Sequence, residues 1–540
     1  MKRFRERLNE ANPDRSTWSE RRWIFVPYDQ LTDRLGPLSV HEPREVGIAM
    51  VETTAKGRRR RYHQQKLALL LTNQRHFALE QAQRGVAVDY RVSSDDYGEV
   101  LAQVAGERGG LIAMEPAERE LRRSLRSGVD EGWMRFVRHE GWLSSAGDFA
   151  DSQPKAPPYR MDRFYRAMRQ KTGWLMDGDS PQGGRYSLDG ENQEFWPGEP
   201  PAASPPTMEV DAITEEVVEL VRQRFGDHPG AIDPSAIPAT ADDARAWWHW
   251  AREACMEYFG PYEDAMSVHS RTLFHTRISA LLNLHRLLPA EVVADVAAMD
   301  IPLNSKEGMI RQILGWREFV RHIHRVTDGF RQLPDGYEPW ERDRTPAQSR
   351  LGADRALPAA YWGEPSGLHC LDTVVASVVE EGYSHHITRL MILSNIAMLL
   401  DVDPEALNEW FWVMYIDAYD WVVEPNVLGM GTFAVGDLMT TKPYVSGANY
   451  IDKMSDYCQD CAFDPKKNCP LREMYWAFLE RHRASLEGNR RMALMLGMLK
   501  RRSQEKKARD RAIYRQGVRI LGGADKWTPE DIEGVEESKK

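Results

Sequence analysis

The sequence predicts an α/β domain built on a parallel, Rossmann-like sheet, followed by a larger all-α domain. In the first 145 residues, short apolar runs alternate with segments of helical periodicity, and a Pro- and Gly-rich stretch follows them. Beyond about residue 209, nearly every segment places apolar residues at helical spacing. Alternation of strand and helix is typical of a parallel sheet covered by helices, whereas unbroken helical periodicity indicates packed helices.

The strands of the first domain are short apolar runs, predicted at 23–26, 46–51, 86–92 and 111–114, with a helix at 64–83. Parallel sheets bind ligands at the carboxyl ends of their strands. Asp29, which follows the first strand, therefore marks the expected ligand edge of this domain.

The remaining elements are predicted in chain order. Helices are expected at 241–258, 276–288, 306–326 and 386–400. The predicted divisions are an N-terminal extension at 1–22, the α/β domain at 23–145, a surface connection at 146–208, the helical domain at 209–500 and a charged, half-ordered tail at 501–540. The tail has few apolar residues with which to build a core.

Composition narrows the class of protein. The start of the chain is charged and lacks the apolar region of a signal peptide, and no stretch of eighteen apolar residues exists. These features predict a cytoplasmic, enzyme-sized monomer that contacts no membrane. The net charge of −10 argues against a nucleic-acid partner, although residues 57–61 and the stretch from Lys500 are locally basic. Solvated faces are the simpler interpretation of both basic runs.

Cysteines form the most informative pattern. Three of the five cysteines, Cys458, Cys461 and Cys469, lie within twelve residues, and Cys370 lies upstream. Four thiolates suit an iron–sulfur cluster or a structural zinc. The uneven spacing and the closing Cys-Pro favour the cluster, and ordinary buried thiols are the third interpretation. The fifth cysteine, Cys255, is expected to be such a buried thiol.

Several segments of the helical half together resemble the iron–sulfur bacterial photolyases and cryptochromes, a family of prokaryotic (6-4) photolyases and deoxyribodipyrimidine photolyase-related proteins. The resemblance extends over about residues 23–491 and is closest in the helical half. It is carried by LFHTRISALLN (273–283), RQILGWREF (311–319), GYSHHITRLM (382–391), YIDAYDWVVEPNVLGMGTFAVG (415–436) and TKPYVSGANYIDKMSDYCQDC (441–461).

The resemblance implies a cryptochrome/photolyase fold that binds FAD in the helical domain, UV-damaged DNA as partner, and a [4Fe-4S] cluster on the four clustered cysteines. Hydroxyl, amide and charged groups suit the diphosphate and sugar of a flavin nucleotide. The residues implied to bind FAD are Thr276, Ser279, Asn283, Arg389, Asp417 and Asn426.

The resemblance also implies roles in repair. His386 is the expected proton donor to a (6-4) lesion and His385 its partner, because histidine can release a proton near neutral pH. Gln312 and Asp264 match lesion-pocket positions, and Asp189 is a weaker candidate beside a magnesium ion. Tyr444 is expected to face the DNA, and Trp410 and Trp362 to relay electrons.

Three positions depart from the family pattern. Phe411 replaces a tyrosine beside the first relay tryptophan, and Trp412 is the nearest substitute. Glu424 is displaced by one place from an acid near the flavin. The stretch 56–59 is basic where relatives bind a lumazine antenna, which leaves the presence of an antenna open.

Three functions therefore remain. The leading hypothesis is a light-dependent (6-4) photolyase, a lyase-class enzyme, and the second is a blue-light-sensing cryptochrome without repair activity. A zinc-stapled nucleic-acid-binding module is the third, and repair of cyclobutane dimers fits the histidine pair less well.

Overall fold

The computed structural model describes residues 2–337 and 349–537 of the chain. Its first domain contains a parallel five-stranded sheet in the order β3-β2-β1-β4-β5. The strands are β1 Arg22–Phe25, β2 Val46–Thr53, β3 Ala87–Ser93, β4 Leu111–Met114 and β5 Met134–Val137. The predicted parallel α/β domain is thus confirmed. β5 was absent from the prediction because this edge strand is short and mixes apolar residues with the exposed Arg135.

Side chains of β1 alternate between two apolar cores. Trp23 and Phe25 belong to a core that continues into the helical domain, whereas Ile24 belongs to the core on the opposite face of the sheet. This alternation follows from the two-residue period of a strand. Phe4 of the N-terminal helix completes the opposite core, so the first residues are part of this packed domain. The helices of this part are α1 Lys2–Ala11, α2 Ala55–Arg59, α3 Gln64–Gln83, α4 Tyr97–Arg108, α5 Arg119–Ser124 and α6 Arg126–Asp130.

The connection between the domains has structure of its own. It contains α7 Ala146–Ser152, α8 Met161–Thr172 and a small hairpin of β6 Met176–Asp177 and β7 Ser180–Pro181. Phe164 of α8 is fully buried in the core shared with the sheet. The segment 146–208 is therefore more than the predicted surface crossing.

The regular elements of the second domain are helices, joined by loops with two isolated β-bridges among the described residues, which confirms the predicted all-α domain. None of the described helices is long and apolar enough to cross a membrane. Its helices are α9 Ala212–Phe225, α10 Ala241–Ala254, α11 Ser279–Asn283, α12 Pro289–Ala298, α13 Leu303–Ile310, α14 Glu318–Val326, α15 His369–Glu381, α16 His386–Thr388, α17 Asn395–Leu399, α18 Pro404–Met414, α19 Asp420–Val423, α20 Ala448–Met454, α21 Leu471–Arg481, α22 Arg483–Leu486, α23 Ala493–Arg501, α24 Gln504–Gly522 and α25 Pro529–Glu537.

Two predicted helices are more complex than their periodicity suggests, and one is much shorter. The helices predicted at 306–326 and 386–400 each contain a π-helical turn, at Arg311–Arg317 and Arg389–Ser394, and a third π-helical turn covers Glu424–Gly431. The helix predicted at 276–288 shrinks to α11, because Arg277 and His285 adopt φ values of 54° and 58°. Such positive φ values are incompatible with a continuous right-handed helix.

The C-terminal segment is ordered over its described part, contrary to the expected half-ordered tail. Trp527, between α24 and α25, is buried and its backbone N–H donates to the Ser366 carbonyl at 2.8 Å. A Cβ at Gly517 would meet the indole ring of Trp527 at 2.4 Å, so glycine is needed there for the close approach. Ile513, Ile520 and Ile532 are buried in the same core, so a few apolar residues in a charged sequence hold this helix pair against the helical domain.

Candidate functional site

A cavity of about 1160 Å³ opens among the helices of the second domain. This volume exceeds the usual size of a pocket for one small ligand and has room for a large cofactor together with part of a substrate. All three π-helical turns contribute to its wall, through residues that include Gln312, Arg389 and Asn426. π-helical turns inside α-helices frequently mark functional sites.

Asp417 organises one wall of the cavity. Its carboxylate receives two hydrogen bonds from Arg389, at 3.1 and 2.9 Å, and one from Ser279 Oγ at 2.6 Å. Asn283 donates to the Asp417 carbonyl at 2.9 Å. Burial alone would raise the pKa of Asp417, but the guanidinium of Arg389 outweighs it and holds the pKa below its ordinary value. The structure thus brings together four residues that the sequence had separated by up to 138 positions.

Thr276 and Asn426 also line this wall. Asn426 commits its amide nitrogen to the Val422 carbonyl at 2.7 Å, within its own helix. All six residues expected to bind a flavin therefore border one cavity. Their polar groups are the hydroxyl, amide and charged kinds that a flavin nucleotide needs.

A group of three histidines forms the next part of the wall. His386 is exposed to the cavity, whereas His385 is buried and does not line it. The His385 ring stacks on the ring of His275, with centroids 4.2 Å apart and planes 13° from parallel. His275 Nε2 and His385 Nδ1 are buried without a hydrogen-bond partner among the described residues. His275 was overlooked in the sequence because it lies within an otherwise apolar and hydroxyl-rich motif.

Desolvation and positive neighbours keep these histidines neutral. The walls around His386, with Arg389 and Arg311 nearby, lower its pKa to about 4. Since the ring itself is open to the cavity, the downward direction of this shift matters more than its size. Burial, then His386 and Arg389, lower the pKa of His275 to about 3, and burial lowers that of His385 well below its ordinary value. A negative ligand in the cavity would raise the pKa of His386 again.

Acidic side chains face His386 from other elements of the cavity. Gln312 donates to Glu263 at 2.5 Å, and Tyr450 donates to Asp264 at 3.1 Å. Burial and the neighbouring Glu263 raise the pKa of Asp264 to about 7, so this carboxyl can exchange a proton near neutral pH. Gln312 and Asp264, the expected lesion-pocket residues, line the cavity, as does Tyr444, and their roles stay predictions.

Arg317 is the cavity residue that sequence reasoning most clearly missed. Nothing in the sequence marked it as a site residue, but its guanidinium lies over the indole of Trp142 at 4.1 Å and 3.7 Å from the carboxylate of the neighbouring Glu318. Its Nε and Nη1 have no hydrogen-bond partner among the described residues. Burial lowers its pKa to about 10, which leaves it cationic at neutral pH. A buried cation with unused donors on a cavity wall is suited to an anion such as a phosphate.

Asp189 lies at the same cavity and forms an ion pair with Arg311 at 3.0 Å. Among the described residues, no three His, Cys, Asp or Glu side chains converge on a point that could hold one metal ion. The magnesium site therefore stays a prediction.

An aromatic path of three rings extends from the cavity wall. Trp410 is buried and contacts the rings of Tyr361 and Tyr415, with centroids 5.3 and 5.9 Å away. At the inner end, Arg389 of the cavity wall lies 4.2 Å over the ring of Tyr415. Trp362, next to Tyr361 in the chain, is 51% exposed. The electron relay through Trp410 and Trp362 stays a prediction.

Tyr415, and not Trp412, is the residue that packs beside Phe411 on the cavity side of α18. The rings of Phe411 and Tyr415 stack with centroids 5.2 Å apart. Trp412 points the other way, towards the α/β domain, where Arg60 lies 4.0 Å over its ring. The suggestion that Trp412 replaces the tyrosine is therefore wrong, since its ring lies on the opposite side of α18.

Glu424 does not border the cavity. It accepts hydrogen bonds from Arg331 at 3.0 and 3.1 Å and contacts His324 at 3.0 Å, in a fully buried network. These partners lower its pKa against the effect of burial. The one-place displacement noted in the sequence thus removes this acid from the cavity wall.

The four clustered cysteines come from separate elements and face one another. Cys370 lies in the first turn of α15, and Cys458, Cys461 and Cys469 lie between α20 and α21. Burial, then the three other thiols, raise the pKa of Cys370 well above its ordinary value. In the part of the chain that the structure describes, no group of three such ligands is close enough to hold a metal ion, so the iron–sulfur cluster and the structural zinc both stay predictions.

Cys255 stands apart, as expected. Its thiol is buried among Trp196, Leu273 and Phe274 and lies 3.8 Å from the His275 carbonyl.

The space at the carboxyl ends of the strands, where an antenna chromophore was considered, is almost filled by side chains. Lys56 crosses the gap and donates to Glu118 at 2.5 Å and to Tyr28 at 2.7 Å. The remaining space is about 60 Å³, enough for roughly two waters. Asp29 follows Tyr28, which lines this space; its Oδ1 is buried without a hydrogen-bond partner among the described residues, and burial raises its pKa to about 7. A lumazine with its polyol does not fit there unless these side chains move.

The basic run at 57–61 serves contacts within the protein. Arg60 bridges the domains through Glu120 and Glu409, at 2.6 and 3.0 Å. Arg59 pairs with Asp96, and Arg61 with Asp227. The idea that this run contacts DNA has no support in this geometry.

Comparisons with known proteins agree with these features. The family described as deoxyribodipyrimidine photo-lyase-related protein matches residues 24–236. A (6-4) photolyase of Agrobacterium fabrum (strain C58 / ATCC 33970) is 34% identical over 490 residues, which cover 87% of this chain and 94% of that protein.

Two solved structures show the same fold at low identity. One is a bacterial class III photolyase from Agrobacterium tumefaciens, with a TM-score of 0.54, 14% identity and coverage of 93% of this chain and 98% of that chain. The other is the cryptochrome of Synechocystis sp. PCC6803, with a TM-score of 0.53, 13% identity and coverage of 96% and 98%. The fold is therefore that of photolyases and cryptochromes, and the chain belongs to the deoxyribodipyrimidine photo-lyase-related family.

Proposed function

We propose that this protein is a light-dependent DNA repair enzyme that reverts (6-4) photoproducts with reduced FAD bound in the cavity. The observation that carries the proposal is His386, a histidine exposed on the wall of a cavity of about 1160 Å³. Its neighbours on this wall are the residues that suit a flavin. The similarity to a (6-4) photolyase over 87% of the chain supports the same activity.

The residues of the cavity fit FAD. Asp417, fixed by Arg389 and Ser279, and the amides of Asn283 and Asn426 supply polar contacts for the sugar and the ring edge. The unused donors of Arg317 suit the diphosphate. Reduced FAD, when bound, supplies an electron to the lesion under blue light and takes it back at the end.

His386 delivers the proton that the lesion needs. In the ligand-free protein its ring is neutral, because desolvation and two arginines lower its pKa. The phosphates of bound DNA bring negative charge and raise that pKa, so the ring becomes protonated only when substrate is present. The protonated ring then donates from a ring nitrogen to the lesion hydroxyl that must move back to its base. His385, stacked on His275, holds the start of α16 in place.

The acidic wall positions the lesion. Gln312 is held by Glu263, and Asp264 shares a hydrogen bond with Tyr450. With a pKa of about 7, Asp264 is partly protonated at neutral pH and can donate to a carbonyl of the flipped base. Tyr444, half-buried at the same wall, is available to stack on a base that enters the cavity.

The aromatic path would carry electrons to the flavin site in the cavity. Electrons enter at the exposed Trp362 and pass through Tyr361 and Trp410 to Tyr415, beneath Arg389. The same path would serve a light sensor, and it favours a blue-light-sensing cryptochrome as the second candidate function. A light sensor, however, needs no proton donor, so the exposed His386 beside the acidic side chains favours the repair enzyme.

We also propose a [4Fe-4S] cluster on Cys370, Cys458, Cys461 and Cys469. The thiols influence one another electrostatically and converge from separate elements, so a cluster would tie α15 to the loop before α21. We expect Cys461→Ser to give protein without iron, or insoluble protein, with Cys255→Ser as the soluble, iron-loaded control. Iron content of anaerobically purified protein measures this. Full iron in the Cys461→Ser protein would contradict the ligand assignment.

Repair is tested directly with a duplex that contains a single (6-4) photoproduct. The protein, purified with its flavin and photoreduced, is illuminated with blue light, and restored thymines are counted by chromatography. Restoration that requires light confirms the enzyme. Photoreduction of the flavin with no restored thymine would replace the proposal with the sensor.

A further inference from the structure

Helix α23 exposes an apolar ridge that nothing in the described structure covers. Leu494 is 73% exposed and Met498, four residues later on the same face, is 45% exposed. The opposite face is anchored, because Met492, Leu496 and Leu499 are buried in the core of the helical domain. The helix is thus held firmly while it presents two large aliphatic side chains to solvent.

This ridge lies beside the mouth of the cavity. The loop before α23 is tied to the cavity rim, since Asn489 donates to the Thr441 carbonyl at 3.0 Å and the next residue, Lys442, lines the cavity. The charge of Arg491 acts on the Tyr444 hydroxyl, which lies on the same rim. Leu494 follows Arg491 by about one helical turn.

Unpaired cations border the ridge. Lys442, Arg490, Arg491, Lys500 and Arg501 have no carboxylate partner among the described residues, and all but Lys442 are exposed. The acidic groups nearby are already paired, Asp189 with Arg311 and Glu487 with Arg483. In a chain of net charge −10, this edge is therefore a local cationic strip on either side of an aliphatic ridge.

A cationic strip with an apolar ridge in its middle fits a nucleic-acid duplex that has lost a base pair from its stack. Phosphates bind lysine and arginine, while aliphatic side chains fill gaps between bases and keep them apart. Extrusion of a lesion into the cavity leaves such a gap. We propose that α23 is a DNA-binding element in which Leu494, supported by Met498, enters the gap left by the flipped lesion and Arg490 and Arg491 hold the flanking phosphates. This inference rests on the proposed function, because it needs the lesion to enter the cavity.

The test of the ridge is Leu494→Ser, with Val40→Ser as the matched control. Val40 is 70% exposed in the α/β domain and does not line the cavity. Binding is measured by fluorescence anisotropy on a duplex with one (6-4) photoproduct and on the undamaged duplex. We expect Leu494→Ser to weaken lesion binding about tenfold and to leave undamaged binding unchanged, because only the extruded state has a gap.

The test of the cations is Arg490→Gln/Arg491→Gln, with the exposed pair Arg5→Gln/Arg224→Gln as control. We expect the variant to weaken both duplexes and to reduce the slope of log affinity against log salt by about two, since each lost phosphate contact removes about 0.9.

Each outcome is decisive. If Leu494→Ser binds the lesion duplex as tightly as Val40→Ser does, Leu494 does not enter the gap left by the lesion and the inference is wrong. If wild-type protein is dimeric by sedimentation and Leu494→Ser is monomeric, the ridge belongs to a second copy, which also overturns it. If wild-type protein shows no preference for the lesion duplex, the proposed function itself fails, and this result does not depend on any α23 variant.

Discussion

Two of the places where buried ionisable groups meet in the described structure, the cavity and the strand ends, differ in the space that they leave. The cavity of the helical domain is about 1160 Å³ and has unused donors on its wall, as at Arg317. The strand ends of the α/β domain retain about 60 Å³, because Lys56 spans the gap to Glu118. Parallel strand ends are a usual ligand site. Here the topology is present, but the protein's own side chains fill the site.

The comparison predicts that cavity residues control ligand chemistry and that strand-end residues control stability. We expect His386→Ala to lower repair of a (6-4) lesion by at least about 100-fold, since a general acid typically contributes that much or more. Flavin content and photoreduction should remain normal. His249→Ala, an exposed histidine of α10, is the control. Normal repair by His386→Ala would mean that another group donates the proton.

Arg317→Met tests the unused donors on the cavity wall. We expect flavin affinity to fall about 10- to 100-fold, because hydrogen bonds to a charged group are lost, while the stability of flavin-free protein changes little. Arg321→Met is a close control, since Arg321 of α14 also lies over Trp142, at 4.4 Å, but does not line the cavity. Flavin titration followed by fluorescence measures the difference. Equal affinity in both variants would remove Arg317 from the site.

Lys56→Met tests the closed site. It leaves the fully buried Glu118 without its ammonium partner, so we expect the free energy of unfolding to fall by about 1–3 kcal/mol with flavin content and repair unchanged. Lys171→Met, which breaks an exposed pair with Asp148, should lower it by less than about 1 kcal/mol. Denaturant unfolding monitors both. A loss of flavin or repair in Lys56→Met would show that the strand ends act on the cavity.

The smallest expected effect is a pH dependence shared by both sites. Burial raises the pKa of Asp264 in the cavity and of Asp29 at the strand ends to about 7. Because the folded protein holds these protons more tightly than the unfolded chain, their contribution is complete below about pH 4 and is lost as the pH rises through about 7. We expect Asp264→Asn and Asp29→Asn each to reduce the fall in unfolding free energy between pH 5 and pH 8, by on the order of 1–2 kcal/mol. Unchanged pH profiles would mean that neither carboxyl retains its proton.

Much of the fold followed from the sequence because its signals are local. Short apolar runs marked β1 to β4, and the helical period marked α3 and α10. The six residues expected to bind flavin were predicted as one set because several motifs together resembled one family, and they border one cavity. Periodicity alone would not have linked Ser279 to Asp417 across 138 positions.

The features that the sequence did not disclose depend on backbone geometry or on distant partners. The positive φ of Arg277 shortened a predicted helix, and nothing in the residue type indicates that conformation. The place of Arg317 at the cavity could not be predicted, because its contact with Trp142 joins it to another domain. Trp412 follows Phe411 in the chain and was therefore the expected substitute for the missing tyrosine. The direction of its side chain, however, depends on how α18 is rotated about its axis.

The π-helical turns at Arg311–Arg317, Arg389–Ser394 and Glu424–Gly431 have a consequence for how this site can change. A π-helical turn contains one residue more than an α-helical turn, so the helices on either side keep their buried faces while the cavity side gains a position. Deletion of one residue within such a turn would restore an ordinary α-helix and leave the flanking core packing in place. At these three turns, insertion or loss of a single codon could therefore add or remove a ligand contact while the packing of the surrounding core stays the same.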